Sequence, residues 1–152
     1  LHAAIARALM SSGPPIPYRS VFVTGASGFV GGYLLKELAG RLPQDARVHA
    51  AGHGGAGFLD LLNQDALSAA IAEMQPDLVI HLAAQASVGS SAKDAEATWR
   101  VNVVGSLNLA HAVSAHAPDA TVMFVSSSEV YGASFNAGVV TEESPLAPMS
   151  VY

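Results

Sequence analysis

The sequence predicts an α/β protein built on a doubly wound parallel sheet, and three observations carry that reading. Short apolar runs alternate with segments of helical periodicity over short connections. The first run feeds a glycine-spaced turn that opens a helix. Of the 152 residues, 51% are apolar and only 12% are charged, a balance that suits strands covered on both faces.

In chain order, residues 1–17 read as a leader. They hold an Ala-rich stretch with Arg7 as its only Arg or Lys, too weakly basic for a signal peptide, and then a Ser/Gly/Pro segment. One domain is expected from Tyr18 to Tyr152. "SVFVT" (20–24) is its first strand. Val30, Leu34, Leu35, Leu38 and Leu42 then recur at helical spacing over 29–41, until Pro43 stops the run. "RVHAA" (47–51) is a second strand, followed by a Gly-rich loop and an amphipathic helix over about 65–74, and "LVIH" (78–81) is a third strand. A long helix is expected over 92–116, with Trp99, Val103, Leu107, Leu109, Ala110 and Val113 on its packed stripe. "TVMFVS" (121–126) is the fourth strand. Beyond Ser128 the pattern loosens into a loop expected to cross the carboxyl edge of the sheet, where open sheets of this kind bind ligands.

Without cysteine, disulfides and thiolate metal sites are excluded, and a cytoplasmic location is expected. A net charge of −5, with seven scattered Lys and Arg, leaves no electrostatic footprint for nucleic acid. No apolar stretch reaches the roughly 18 residues of a membrane span. His111 and His116 are five apart, the wrong spacing for ligands on one helix face, so no metal is expected. Any anionic ligand must therefore be held by local geometry.

In "TGASGFVG", Gly25, Gly28 and Gly31 follow a strand and open a helix. Gly25 permits the sharp turn, Gly28 lets backbone approach a pyrophosphate, and Gly31 lets helix and strand pack closely. Unpaired N–H groups at the helix start then face the anion. A mononucleotide P-loop is ruled out because no G-K-[ST] follows. The turn predicts a Rossmann-type dinucleotide site, with Ser27, Phe29 and Val30 completing the cradle. Such sites place an acid about 20 residues on to bind the adenosine ribose, and "VHAAGHGGAG" offers none. Its absence removes a charge that would repel a 2′-phosphate. NAD or NADP is therefore expected, with NADP favoured and His53 a candidate neighbour.

Six ordered motifs, "TGASGFVG", "FLDLL", "HLAAQASV", "VNVVGSLNLAHA", "FVSSSEVYG" and "SVY", resemble the extended short-chain dehydrogenase/reductases of the NAD-dependent epimerase/dehydratase type, which act on nucleotide sugars. The likeness runs from about Val21 to Tyr152. It implies that Asp60 and Leu61 contact the adenine, Asp60 accepting from its amino group, and that Leu82, Ala83, Ala84 and Val125 line the cofactor. Asn102 corresponds to the family's helix Asn. Ser127 and Tyr152 fall on the family's catalytic Ser and Tyr. The Lys of the family's Y-x-x-x-K motif falls four residues beyond Tyr152, outside this chain together with the sugar-binding part, so the chain alone is expected to be inactive.

The two residue types suit the chemistry. Hydride transfer at a sugar carbon needs a proton moved at the attached oxygen, and a phenol of pKa about 10 does this near neutrality only beside a cation. A serine hydroxyl polarises the same oxygen. Glu129 stands where the family's dehydratases carry a base, although its reductases also carry an acid there. Gln85, Ser87 and Ser128 are candidate sugar contacts, each balanced by a plain loop role, and Ser126 reads as a loop hydroxyl. His81 is expected to make a structural hydrogen bond, and Trp99 to pack its helix.

The short loop before "DLL" resembles the branch that reduces GDP-4-keto-6-deoxy-mannose. A 4-epimerase or a 4,6-dehydratase is the alternative within the family, and a non-catalytic NAD(P)-binding module the alternative outside it. "SSSEV" is not the G-x-S-x-G of a serine hydrolase. A homodimer through the 92–116 helix is expected.

Overall fold

The computed structural model describes residues 16–53, 57–86, 88–91 and 93–152. Four strands, β1 (Ser20–Thr24), β2 (Arg47–Ala51), β3 (Leu78–His81) and β4 (Thr121–Phe124), form one parallel sheet in the order β2-β1-β3-β4. The central pair, β1 and β3, is buried along its whole length, as its unbroken apolar runs require.

Side chains alternate across these two strands and build a core on each face. Val21, Val23, Leu78 and Ile80 point to one side, where α1 (Phe29–Arg41) supplies Leu38 and, at the edge of the cluster, Leu34 and Leu35. Phe22 and Val79 point to the other. There they meet Leu67 and Ile71 of α2 (Gln64–Met74) and Leu109, Ala112 and Val113 of α4 (Gly105–His116). Phe22, Leu67 and Ile71 are fully enclosed, each contributing about 1.5–3 kcal/mol of burial.

Local chemistry sets the helix ends. Asn63 caps α2 by accepting from the Ala66 N–H at 3.0 Å. The helix closes at Gln75, which adopts φ 43° and donates its amide to the carbonyls of Ala72 (3.0 Å) and His116 (2.8 Å), tying the end of α2 to the end of α4.

The long helix departs from its expected form. A single helical turn spans Val88–Ser91, and a new helix, α3 (Ala95–Trp99), starts only after Asp94, whose carboxylate accepts from the Ala97 N–H at 2.9 Å. One π-helical turn, Arg100–Val104, then joins α3 to α4, closed by the Gly105 N–H on the Arg100 carbonyl. The expected stripe splits within α4, because residues two apart, such as Leu107 and Leu109, face opposite sides of a helix of about 3.6 residues per turn. Trp99 (57% exposed), Val103, Leu107 and Ala110 lie on the solvent side, while Leu109 and Val113 keep the packed positions.

Two further expectations change. β4 ends at Phe124, two residues before Ser126. Coverage on both faces holds for β1 and β3 only, because β2 and β4 are the sheet's edges: Val122 and Phe124 are more than half exposed. After β4 the chain makes two 3₁₀ turns, Ser128–Val130 and Gly132–Ala137, and residues 145–147 fold back on them. The Ala147 N–H reaches Val130 O (3.0 Å), the Ala133 N–H reaches Ala147 O (2.8 Å), and the Ser134 hydroxyl reaches Pro145 O (2.7 Å). Most of the expected leader, residues 1–15, lies outside the described residues, and Ile16 packs at the edge of the α1-side core.

Candidate functional site

The chain leaves β1 toward β2 on one side and returns to β3 on the other. That reversal opens a crevice at the carboxyl ends of the strands. A cleft of about 740 Å³ occupies it. Its walls come from the β1–α1 turn (Gly25, Ser27, Gly28, Phe29, Val30, Gly31), from the segment after β2 (Gly52, His53, Asp60, Leu61) and from the segment after β3 (Leu82, Ala83, Ala84, Gln85). Ala97 of α3 and Val101 of the π turn close one side.

The turn has the shape its glycines imply. Gly25 sits at φ 69°, and a Cβ there would lie 2.7 Å from the Ala83 nitrogen, so β1 and the end of β3 meet only because that residue has no side chain. A Cβ on Gly31 would come within 2.5 Å of the Gly25 carbonyl, which fixes how closely α1 approaches the turn. Gly28 caps α1 without a side-chain acceptor, and the first turn of the helix carries no acid. The leading N–H groups of α1 therefore face the cleft with a partial positive charge. A cradle of this kind fits a diphosphate.

Asp60 sits on the wall with one carboxylate oxygen accepting from the Leu62 N–H at 2.9 Å, and its other oxygen has no partner among the described residues. The Asn108 amide holds the Leu61 carbonyl at 2.9 Å, and Leu61 packs against Gly105, so α4 supports this wall. Sequence reasoning missed Gly52 as a site residue. A Cβ there would meet the Ser27 hydroxyl oxygen at 2.7 Å, and that same oxygen accepts from the His53 N–H at 2.9 Å. Phe58 also lines the cleft, with its ring edge-on to that of His53. The Gly-rich run after β2 was the available signal, because close backbone approach needs such residues.

Other expected site residues lie off this wall. Asn102 uses its side chain on the wall's backbone instead, accepting from the Gln85 N–H at 2.7 Å and donating to the Gln85 carbonyl at 3.4 Å. Val125 is half exposed just past β4 and does not line the cleft. Ser127, Ser128, Glu129 and Tyr152 are also absent from its wall. Ser127 caps the first 3₁₀ turn by accepting from the Glu129 N–H at 3.2 Å, which leaves its own hydroxyl proton free to donate. Ser87 lies outside the described residues. His81 is 3% exposed and bonds to Thr24 and Ser106; burial pushes its pKa below the ordinary 6.5. Among the described residues no cluster of His, Asp or Glu could hold a metal, and no helix is long and apolar enough to cross a membrane.

The NAD dependent epimerase/dehydratase family matches residues 21–152, the segment that carries both the glycine turn and Tyr152. The chain belongs to this family. Within it, the chain is 38% identical over 118 residues to the GDP-6-deoxy-D-mannose reductase of Pseudomonas aeruginosa, covering 74% of this chain and 35% of that protein. The structure of RMD from Pseudomonas aeruginosa complexed with NADPH superposes with a TM-score of 0.67 at 35% identity, over 87% of this chain and 43% of that one. The Thermus thermophilus UDP-glucose 4-epimerase complexed with NAD gives 0.74 at 30% identity, over 87% and 45%. The chain thus spans less than half the length of these epimerase/dehydratase relatives.

Proposed function

We propose that the full-length protein reduces the 4-keto group of a GDP-4-keto-6-deoxy-hexose with NADPH. The observation that carries this reading is the 38% identity to the Pseudomonas aeruginosa GDP-6-deoxy-D-mannose reductase across 74% of the chain. The absence of any acid from Gly52 to Leu59 supports NADP over NAD, since a carboxylate there would repel the 2′-phosphate.

The N–H groups of Phe29 and Val30 hold the diphosphate, Asp60 and Leu61 the adenine, and Leu82, Ala83 and Ala84 the remaining wall of the cofactor site. When bound, NADPH supplies the hydride that reduces C4. Tyr152 gives its phenolic proton to the C4 oxygen, and Ser127, whose oxygen is already turned toward the Glu129 N–H, donates a hydrogen bond to the same oxygen. Gln85, Ser87 and Ser128 contact the sugar.

A 4,6-dehydratase is the second reading. It would use Glu129, an acid two residues from Ser127 and bonded to it through its backbone N–H, as its base. In that reaction Glu129 removes a proton from the sugar. The enzyme works as a homodimer through the exposed face of Trp99, Val103 and Leu107, and in the cytoplasm, where a chain without cysteine needs no oxidising compartment.

The test offers full-length protein the GDP-4-keto sugar with NADPH or NADH and, separately, GDP-mannose with NADP+ or NAD+, and follows both nicotinamide absorbance and the sugar products. The reductase reading requires NADPH oxidation with the keto sugar. Conversion of GDP-mannose to a dehydrated product with the oxidised cofactor, without net cofactor turnover, would replace it with the dehydratase.

A further inference from the structure

We propose that His81 is a positioning residue for the cofactor cleft: a neutral imidazole protonated on Nε2 that locks the Ala83 and Gln85 walls to the π turn. The inference rests on dinucleotide binding in the cleft and not on which sugar is reduced.

The direction of every hydrogen bond around His81 follows from one carbonyl. Ser106 Oγ lies 2.6 Å from the Asn102 carbonyl oxygen, which only accepts, so the hydroxyl proton is spent there. The Ser106 oxygen therefore faces His81 Nε2, at 2.9 Å, as an acceptor, and Nε2 carries a proton. Nδ1, 2.6 Å from Thr24 Oγ1, is then bare and accepts from the threonine hydroxyl. Thr24 Oγ1 in turn accepts from the Ala83 N–H at 3.2 Å. The chain runs in one direction, from the Ala83 amide through Thr24, His81 and Ser106 to the Asn102 carbonyl.

Both ends of that chain touch the cleft wall. Ala83 is the residue whose nitrogen a Gly25 side chain would strike, so this amide bond sets the approach of β3's end to the glycine turn. Asn102 holds Gln85 with both its side-chain atoms, two residues farther along the same wall. The π turn brings these ends together by placing Asn102 between α3 and α4, four residues before Ser106. A plain core residue at position 81 would fill the same space and leave the Thr24 proton, the Ser106 acceptor site and the register of the loop undirected.

Nitrogen NMR of full-length protein labelled at histidine tests the lock without cofactor. At neutral pH the His81 signals must show a protonated Nε2 and a bare Nδ1. A proton on Nδ1 would overturn the proposal. Titration with NADPH tests the role. His81→Leu and Ser106→Ala should each raise the NADPH dissociation constant about tenfold, the scale of one lost directed hydrogen bond. His81→Gln, whose amide both donates and accepts, should return to within about threefold of wild type. Ser106→Ala stays informative if His81→Leu does not fold, because it deletes one hydroxyl. Wild-type affinity in Ser106→Ala, with only its melting temperature lowered, would make His81 a structural residue and end the proposal. Failure of the wild-type protein to bind NADPH or NADH would overturn the cofactor reading itself, an outcome visible before any variant is made.

Discussion

At Gly25 the backbone stands at φ 69°, and a methyl group would lie 2.7 Å from the Ala83 nitrogen. Gly25→Ala should therefore cost at least about 2 kcal/mol in denaturant unfolding and abolish cofactor binding by calorimetry. Gly32, inside α1, is the control. No atom of the described residues lies within 4 Å of a Cβ there, so Gly32→Ala should be neutral or stabilise the fold by up to about 1 kcal/mol. Ser127 and Tyr152 answer to a different readout, since neither lines the dinucleotide cleft. Ser127→Ala and Tyr152→Phe should each lower kcat in the full-length protein about 10²- to 10⁴-fold and leave the NADPH dissociation constant within about threefold of wild type. Equal losses in binding and turnover would assign them to cofactor binding instead of proton transfer.

The carboxyl end of β3 contributes a pH signature. Among the described residues His81 meets neutral groups, Thr24, Ser106 and the ring of Phe124, and burial lowers its pKa below 6.5. The unfolded chain then takes the proton first, so the stabilisation is complete above pH 6.5 and is lost as pH falls through the folded value. Urea unfolding at pH 7.5 and 5.5 should show a drop in stability at the lower pH that shrinks in His81→Gln. The α3–π–α4 segment carries a second signature, because Trp99, Val103 and Leu107 are exposed at helical spacing along it. Leu107→Glu should convert the proposed dimer to monomer in light scattering while leaving the far-ultraviolet spectrum unchanged. A dimer that survives would place the interface elsewhere.

Much of the molecule was legible from periodicity and punctuation. The bounds of β1, β2, β3 and α1 match the expected ones: Gly25 and Pro43 punctuate the chain, and β1 and β3 carry runs rich in Val and other large apolar residues. The π turn was not legible. Trp99, Val103, Leu107 and Ala110 fit one helical stripe by spacing, and spacing alone does not say that this side faces solvent while Leu109 and Val113 pack. The exposure of β4 was hidden for a related reason, since apolar composition does not say which strand stands at an edge. Within the cleft, the glycine turn, Asp60 and the β3 segment were readable as motifs. Gly52 and Phe58 were not, because their contribution is a close approach made only in three dimensions. The claim on which the whole molecule turns is that the start of α1 receives the diphosphate of a nicotinamide dinucleotide. A crystal structure of the full-length protein grown with NADPH tests it most directly. Phosphate oxygens within hydrogen-bonding distance of the Phe29 and Val30 N–H groups are the predicted result, and NADPH bound elsewhere with that turn bare would contradict it.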